Sequence, residues 1–359
     1  MPVTISEDIT GVASVNSGAI GGRRNIVYNG EMKVAQRGTV TSVTSGTYGG
    51  PDRFVLGEVG ALVVTLSQDT DVPTGQGFAN SMKIDVTTAD SSLAAGDLAF
   101  IGQRFEGQDL QQLKKGTSSA ESVTLSFWVK TTITGTYIIQ LYDNDNARHI
   151  SKSYTVSSTN TWEHKTLTFA GDTTGALDDD NAYSLQVYWG LAAGSNYTDG
   201  TLATSWAAFN DGNSFTGQVN AVNSASNNIY ITGVQLEIGA TATDFEHRTF
   251  GDELALCQRY YQQQFTFNGY ASNTTTIQAS APCIISMRAT PTLSAGGVLT
   301  VTDGAANYAQ SSLSITGVTG TPNGISFNAP NFSSLTQFRP CMNNGTASSV
   351  GSLAYSAEL

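Results

Sequence analysis

Between Asn25 and about Phe250 the chain runs as short stretches of alternating apolar and polar side chains, each closed by turn-forming residues. In SVTLSFWVK, Val123, Leu125, Phe127 and Val129 face one way, and Thr124, Ser126, Trp128 and Lys130 the other. A period of two places successive side chains on opposite faces of a strand, whereas a helix repeats every 3.6 residues. The same reading selects Ala61–Ser67, Ser81–Val86, Tyr137–Tyr142, His149–Val156, Glu163–Ala170, Tyr183–Gly190 and Asn228–Glu237. Clusters such as TGT, YDNDN, SSTNT and GDTTGALDDDN separate them, and Gly, Asn and Asp tolerate the backbone angles that tight turns demand. About eight strands at this spacing predict a sandwich or jelly roll.

The chain has 359 residues, too many for one small core. Charged residues are 13% of it, about half the usual share, and Gly, Ser, Thr and Asn fill the gap, which disfavours long helices. One helix stands out, TFGDELALCQRYYQ over residues 249–262. Thr249 can cap its first turn, Asp252 and Glu253 suit the positive end of its dipole, and Leu254, Cys257 and Tyr261 form its apolar stripe. Residues 263–359 return to strand-like composition, with runs at Cys283–Met287, Gly297–Thr302 and Gly324–Phe327. The expected architecture is all-β. It comprises an arm over 1–24, a jelly-roll sandwich over 25–248, a linking helix over 249–262 and a smaller β-domain over 263–359. The arm is too short to bury its own apolar side, so it is expected to gain partners from another subunit or protein.

Composition also excludes whole classes of function. A net charge of −12 without a Lys/Arg stripe argues against nucleic acid. No apolar run approaches the roughly 18 residues of a membrane span. The first residues lack a basic and then apolar leader, so synthesis in the cytoplasm is expected. Cys257, Cys283 and Cys341 are odd in number and widely spaced, which suits free thiols rather than zinc or disulfides. His149, His164 and His247 are the only histidines, and no GxSxG elbow or phosphate loop accompanies them. Paired carboxylates could serve glycoside hydrolysis, but Asp143, Asp145 and Asp178–Asp180 fall in turn-like sequence, where solvated carboxylates stay ionised. The chain is therefore not expected to be an enzyme.

Exposed aromatic rings offer a platform for the apolar face of a sugar. Trp128 and Trp162 sit in or beside patterned strands and read as core. Trp189 lies nearer a loop, and the long polar insertion Gly190–Asn227 carries Tyr197, Trp206 and Phe209. Insertions of that length are commonly functional or covered by a partner. Trp189, Tyr197, Trp206 and Phe209 are thus the candidate glycan contacts, with packing on the sandwich or a neighbouring subunit as the alternative.

Several local sequences together resemble a domain of tailed-bacteriophage fibre and receptor-binding proteins. They are NIVYNGEMKVAQRG with the following DRF, then TLSFWVK, TWEHKTLTF and NIYITGVQLEIGATATDFEHRTFGDELALCQRYYQ. The same strands are similar to jelly-roll carbohydrate-binding modules. The resemblance spans residues 25 to about 262. It implies a structural virion protein, a homotrimer held to other virion proteins through its arm, that recognises a host-surface glycan and does not insert into a membrane. A tail fibre is the first expectation, with a capsid-decorating head fibre and a polysaccharide depolymerase as alternatives. By motif position it also implies Glu31 and Asp244 as candidate ligands of a structural Ca²⁺, with no other cofactor.

Overall fold

A computed structural model of the chain describes residues 14–15, 18–19, 23–264, 266–343 and 352–359. Of the arm expected over 1–24, Ser14–Val15 pairs antiparallel with Gly18–Ala19, and the rest up to residue 22 lies outside the described residues. Strands hold 42% of the chain and helices 6%, so the fold is all-β. The chain divides into two compact units, Met1–Arg248 and Thr249–Leu359.

The first unit is a jelly-roll β-sandwich. In chain order its strands are β1 (Val40–Val43), β2 (Thr47–Tyr48), β3 (Val55–Val59), β4 (Val63–Asp69), β5 (Ser81–Thr88), β6 (Leu98–Glu106) and β7 (Val123–Thr131). They continue as β8 (Gly135–Asp143), β9 (Arg148–Val156), β10 (Glu163–Phe169), β11 (Tyr183–Ala193), β12 (Ala207–Ala208) and β13 (Asn228–Ile238). One sheet has the order β10-β7-β13-β5-β4-β1 and the other β12-β9-β8-β11-β6-β3-β2, with every pairing antiparallel. The period-two pattern explains the layering. The inward ring of Phe127 on β7 meets Tyr154 at 5.2 Å and Trp189 at 6.1 Å on the facing sheet, both edge to face. Such pairs add about 0.5–1.5 kcal/mol beyond their buried area.

The opening segment NIVYNGE seals one end of the sandwich, and its residue types follow from close approach. Buried Asn25 accepts from the N–H groups of Val27 and Leu236 and donates to the Val234 carbonyl, so its side chain does the work of a missing strand. A Cβ on Gly30 would lie 2.1 Å from the Val234 oxygen, which leaves glycine as the residue that fits.

The second unit opens on α1 (Phe250–Gln258), and Thr249 Oγ1 accepts from the Asp252 N–H at 3.2 Å, the expected cap. The helix stops before residue 262, where the sequence pattern would carry it. Tyr261–Gln264 instead forms β14 and pairs with Leu353–Ser356 at the chain's end, because a long-range ladder outweighs a marginal last turn. Cys283–Met287 is not a strand either. The N–H groups of Cys283 and Met287 go to the Asn323 and Pro322 carbonyls and that of Ile284 to the Gln262 side chain, so this segment is an irregular crossing. The remaining strands form a three-stranded and a seven-stranded sheet over a core that includes Phe267, Ile277, Leu299, Phe327 and Tyr355. None of Cys257, Cys283 and Cys341 forms a disulfide.

Candidate functional site

The outward residues of the six-stranded sheet build a concave feature of the first unit. Register fixes its floor. His164 on β10 lies opposite Trp128 on β7, which lies opposite Thr232 on β13, while Ser126 occupies the row behind. The Trp128 and His164 rings lie 5.1 Å apart, tilted by 48°. The β7–β13 ladder slips between Thr232 and Gln235, and Gly233 at that slip has φ of 60°. A Cβ there would sit 2.6 Å from the Phe78 ring and 3.1 Å from Trp128, so the bulge and its glycine make room for both rings.

Two segments remote in sequence form the walls. The β4–β5 loop supplies Gln76 and Phe78, and the tail after β13 supplies Thr243, Asp244, Phe245 and His247. Phe78, Phe245 and His247 pack mutually with centroids 5.0–5.6 Å apart. The cavity measures about 550 Å³, within the usual range for small-molecule sites. It combines aromatic faces with amide, hydroxyl, imidazole and carboxylate groups. Among the described residues Asp244 is the only acid lining it, and it is exposed at the rim. Burial lowers the pKa of His164, with Lys165 adding to the effect, so that imidazole is neutral at pH 7.

The four expected glycan contacts are not brought together here. Trp189 is 1% exposed and belongs to the core between Phe54 and Phe127; its strand runs on to Ala193, which makes its position inward-facing rather than loop-like. Tyr197 is half-buried against Ile138, Ala193 and Phe215. Trp206 donates Nε1–H to the Ala170 carbonyl at 2.8 Å and lies 5.1 Å from the Lys115 ammonium. Phe209 keeps an exposed edge but packs on Tyr142 at 4.9 Å and His149 at 5.2 Å. The insertion therefore covers the edge of the seven-stranded sheet, where β12 pairs with β9. Trp128, read from sequence as core, is instead half-buried with a face on the cavity.

Beneath that insertion His149 is fully buried. Its Nδ1 lies 2.9 Å from Gln140 Nε2, and its Nε2 has no partner. Burial lowers its pKa, with Asp211 opposing, so the folded protein holds it neutral. A lowered histidine pKa means that stability is intact above the unfolded value of about 6.5 and drains as pH falls below it. The unfolding free energy of the first unit, from urea titrations, should fall from pH 7.5 to 5.5, by at most about 1.4 kcal/mol per pH unit for each such histidine. In His149→Gln the slope should drop to what His164 alone contributes. An unchanged slope would remove His149 from this account.

The residues expected to hold Ca²⁺ do not fit it. Glu31 is engaged by Lys33 Nζ at 2.7 Å and His247 Nδ1 at 3.1 Å, and Asp244 stands at the cavity rim. The oxygens that converge nearby already surround a guanidinium: Arg248 donates to the carbonyls of Asn25 and Val27 and pairs with Glu246 at 3.4 Å. Among the described residues no group of three or more His, Cys, Asp or Glu side chains is placed to hold a metal ion.

No protein-family model matches the chain, and no curated protein matches it. Solved structures do. The enzymatically active domain of bacteriophage CBA120 tailspike protein 4 is 18% identical over 55% of this chain and 21% of its own length, with a TM-score of 0.31. This chain thus spans about a fifth of that protein. A CBM4 structure is 16% identical over 58% of this chain and 97% of its own, with a TM-score of 0.30. The family 11 carbohydrate-binding module of a cellulosomal cellulase from Clostridium thermocellum is 11% identical over 59% and 98%, with a TM-score of 0.28. At those scores what the groove can do has to be read from its own residues.

Proposed function

We propose that this chain binds a polysaccharide in the Trp128 groove without cleaving it, as a receptor-contacting fibre protein of a bacteriophage particle. The observation that carries the binding reading is the half-buried Trp128 face, open to a 550 Å³ cavity and flanked by His164 and the Phe78–Phe245–His247 cluster. A pyranose presents an apolar C–H face to such a ring and hydroxyl groups to the amides, imidazoles and carboxylate beside it. Non-enzymatic binding is supported by the cavity's having one carboxylate among the described residues that line it, since hydrolysis of a glycosidic bond ordinarily employs two flanking it. The virion role, the homotrimer, and attachment to other virion proteins through the first residues rest on the resemblance of NIVYNGEMKVAQRG, TLSFWVK and the GVQLE-to-CQRYY stretch to phage fibre proteins. Tail fibre is the first assignment and head fibre the second.

The test uses purified chain and host surface polysaccharide. Retention without new reducing ends is the expected result, and Trp128→Ala should weaken it roughly 30- to 100-fold, as loss of a central aromatic anchor does. Undiminished retention by Trp128→Ala would overturn the groove as the site. Release of oligosaccharides, abolished at Asp244→Asn, would establish a depolymerase instead.

A further inference from the structure

We propose that the binding face extends beyond the cavity onto a second aromatic subsite made by Trp162 and Tyr230, so that the ligand is a run of neutral or amino sugars rather than a single chain end. This inference rests on the groove being a glycan site. Strand register places the second subsite. Trp162 immediately precedes β10 and shares the outward parity of His164, two residues further on. Lys130 has the same relation to Trp128 on β7, and Tyr230 to Thr232 on β13. The Trp162–Lys130–Tyr230 row is thus the next outward row after His164–Trp128–Thr232, about 7 Å along the strands.

The row is built and held. Trp162 and Tyr230 lie edge to face at 6.2 Å, with the Lys130 ammonium 5.6 Å and 4.4 Å from their centroids. Asp71 accepts the Trp162 Nε1–H at 2.9 Å and pairs with Lys130, which fixes both side chains. Both rings remain half-buried. Charge then narrows the ligand class. Lys130 is matched by Asp71, Lys83 lies 3.9 Å from Asp85, and the cavity is lined by Asp244 and by no Lys or Arg. A uronate or sulfated sugar would meet carboxylates without a free cation in either subsite. Hydroxyl groups, acetamido N–H groups and ammonium groups have acceptors in both.

Calorimetric titration of the full chain with glucose-, galactose-, N-acetylglucosamine- and galacturonate-based oligosaccharides, from disaccharide to hexasaccharide, tests this. Affinity for at least one uncharged series should rise about tenfold or more with length, and the galacturonate series should bind more weakly at every length. Trp162→Ala should abolish the rise while leaving disaccharide affinity within about twofold. Tyr230→Ala carries the same expectation should the first variant fail to fold. Length-independent affinity in the parent chain, equal loss at all lengths in the variants, or preference for galacturonate would overturn the extended site while leaving the groove standing. Binding of no series would overturn the glycan reading and this extension with it.

Discussion

Arg248→Ala is expected to destabilise the first unit by about 3–5 kcal/mol, the range for removing one member of a largely buried ion pair. The guanidinium closes the sandwich where its two ends meet, bonding the Asn25 and Val27 carbonyls and pairing with Glu246. Burial pushes the Glu246 carboxyl up, but the Asn25 and Arg24 N–H groups and Arg248 outweigh it and hold the carboxyl below its ordinary range. Without the guanidinium both carbonyls lose a donor and the carboxylate its counter-charge. The first unit's melting transition should fall by roughly 10 °C. Chelator should leave the parent transition where it is, because the cation is covalently part of the chain. A drop of several degrees with chelator, or an Arg248→Ala melt within about 2 °C of the parent, would reverse this account.

The same corner shows where the sequence could be read and where it could not. Strand parity was legible: the runs at Val123, His149, Glu163 and Asn228 begin within one residue of the observed strands. That parity groups Trp128 with Thr124, Ser126 and Lys130 on the face opposite Phe127, yet a large apolar ring in a patterned strand reads as core, and the fold places it half-buried on the groove instead. The walls gave no such signal, because Phe78 and Phe245 lie in turn-like stretches 167 positions apart and only the folded sheet brings them to 5.1 Å. Trp189 misled for the opposite reason. Gly190 reads as a strand end, yet β11 passes through it and the ring points inward among Phe54 and Phe127. Arg248 was invisible as a cation site, since a guanidinium and a metal ion satisfy the same oxygens and local sequence does not say which fills them.

Asp143 is the other case where turn-like sequence hid a buried charge, and it yields the second large effect. Lys115→Met is expected to cost about 3–5 kcal/mol in the first unit. The Lys115 side chain is 5% exposed, and its ammonium pairs with Asp143, at 0%, and with Asp172, at 3%. It also donates to the Thr174 and Gly175 carbonyls, while Arg148 makes two bonds to Asp172 and the Trp206 ring covers the cluster. Two cations and two carboxylates cancel, so removing Lys115 strands a negative charge that desolvation penalises heavily. Asp143→Leu in the same chain should recover much of the loss, because replacing both partners leaves no uncompensated charge. The acid limb offers a second readout. Burial pushes the Asp172 carboxyl up, but Arg148, the Thr174 N–H and Lys115 outweigh it and hold it below its ordinary range. A depressed carboxyl contributes stability that is complete above the unfolded value of about 3.9 and is lost as pH falls through the folded value. The parent chain should therefore lose stability below about pH 4, separately from the His149 step near neutrality, and Lys115→Met should flatten that acid loss. An unaltered acid limb, with a destabilisation under about 1 kcal/mol, would mean that the cluster is solvated and that its burial contributes nothing to the fold.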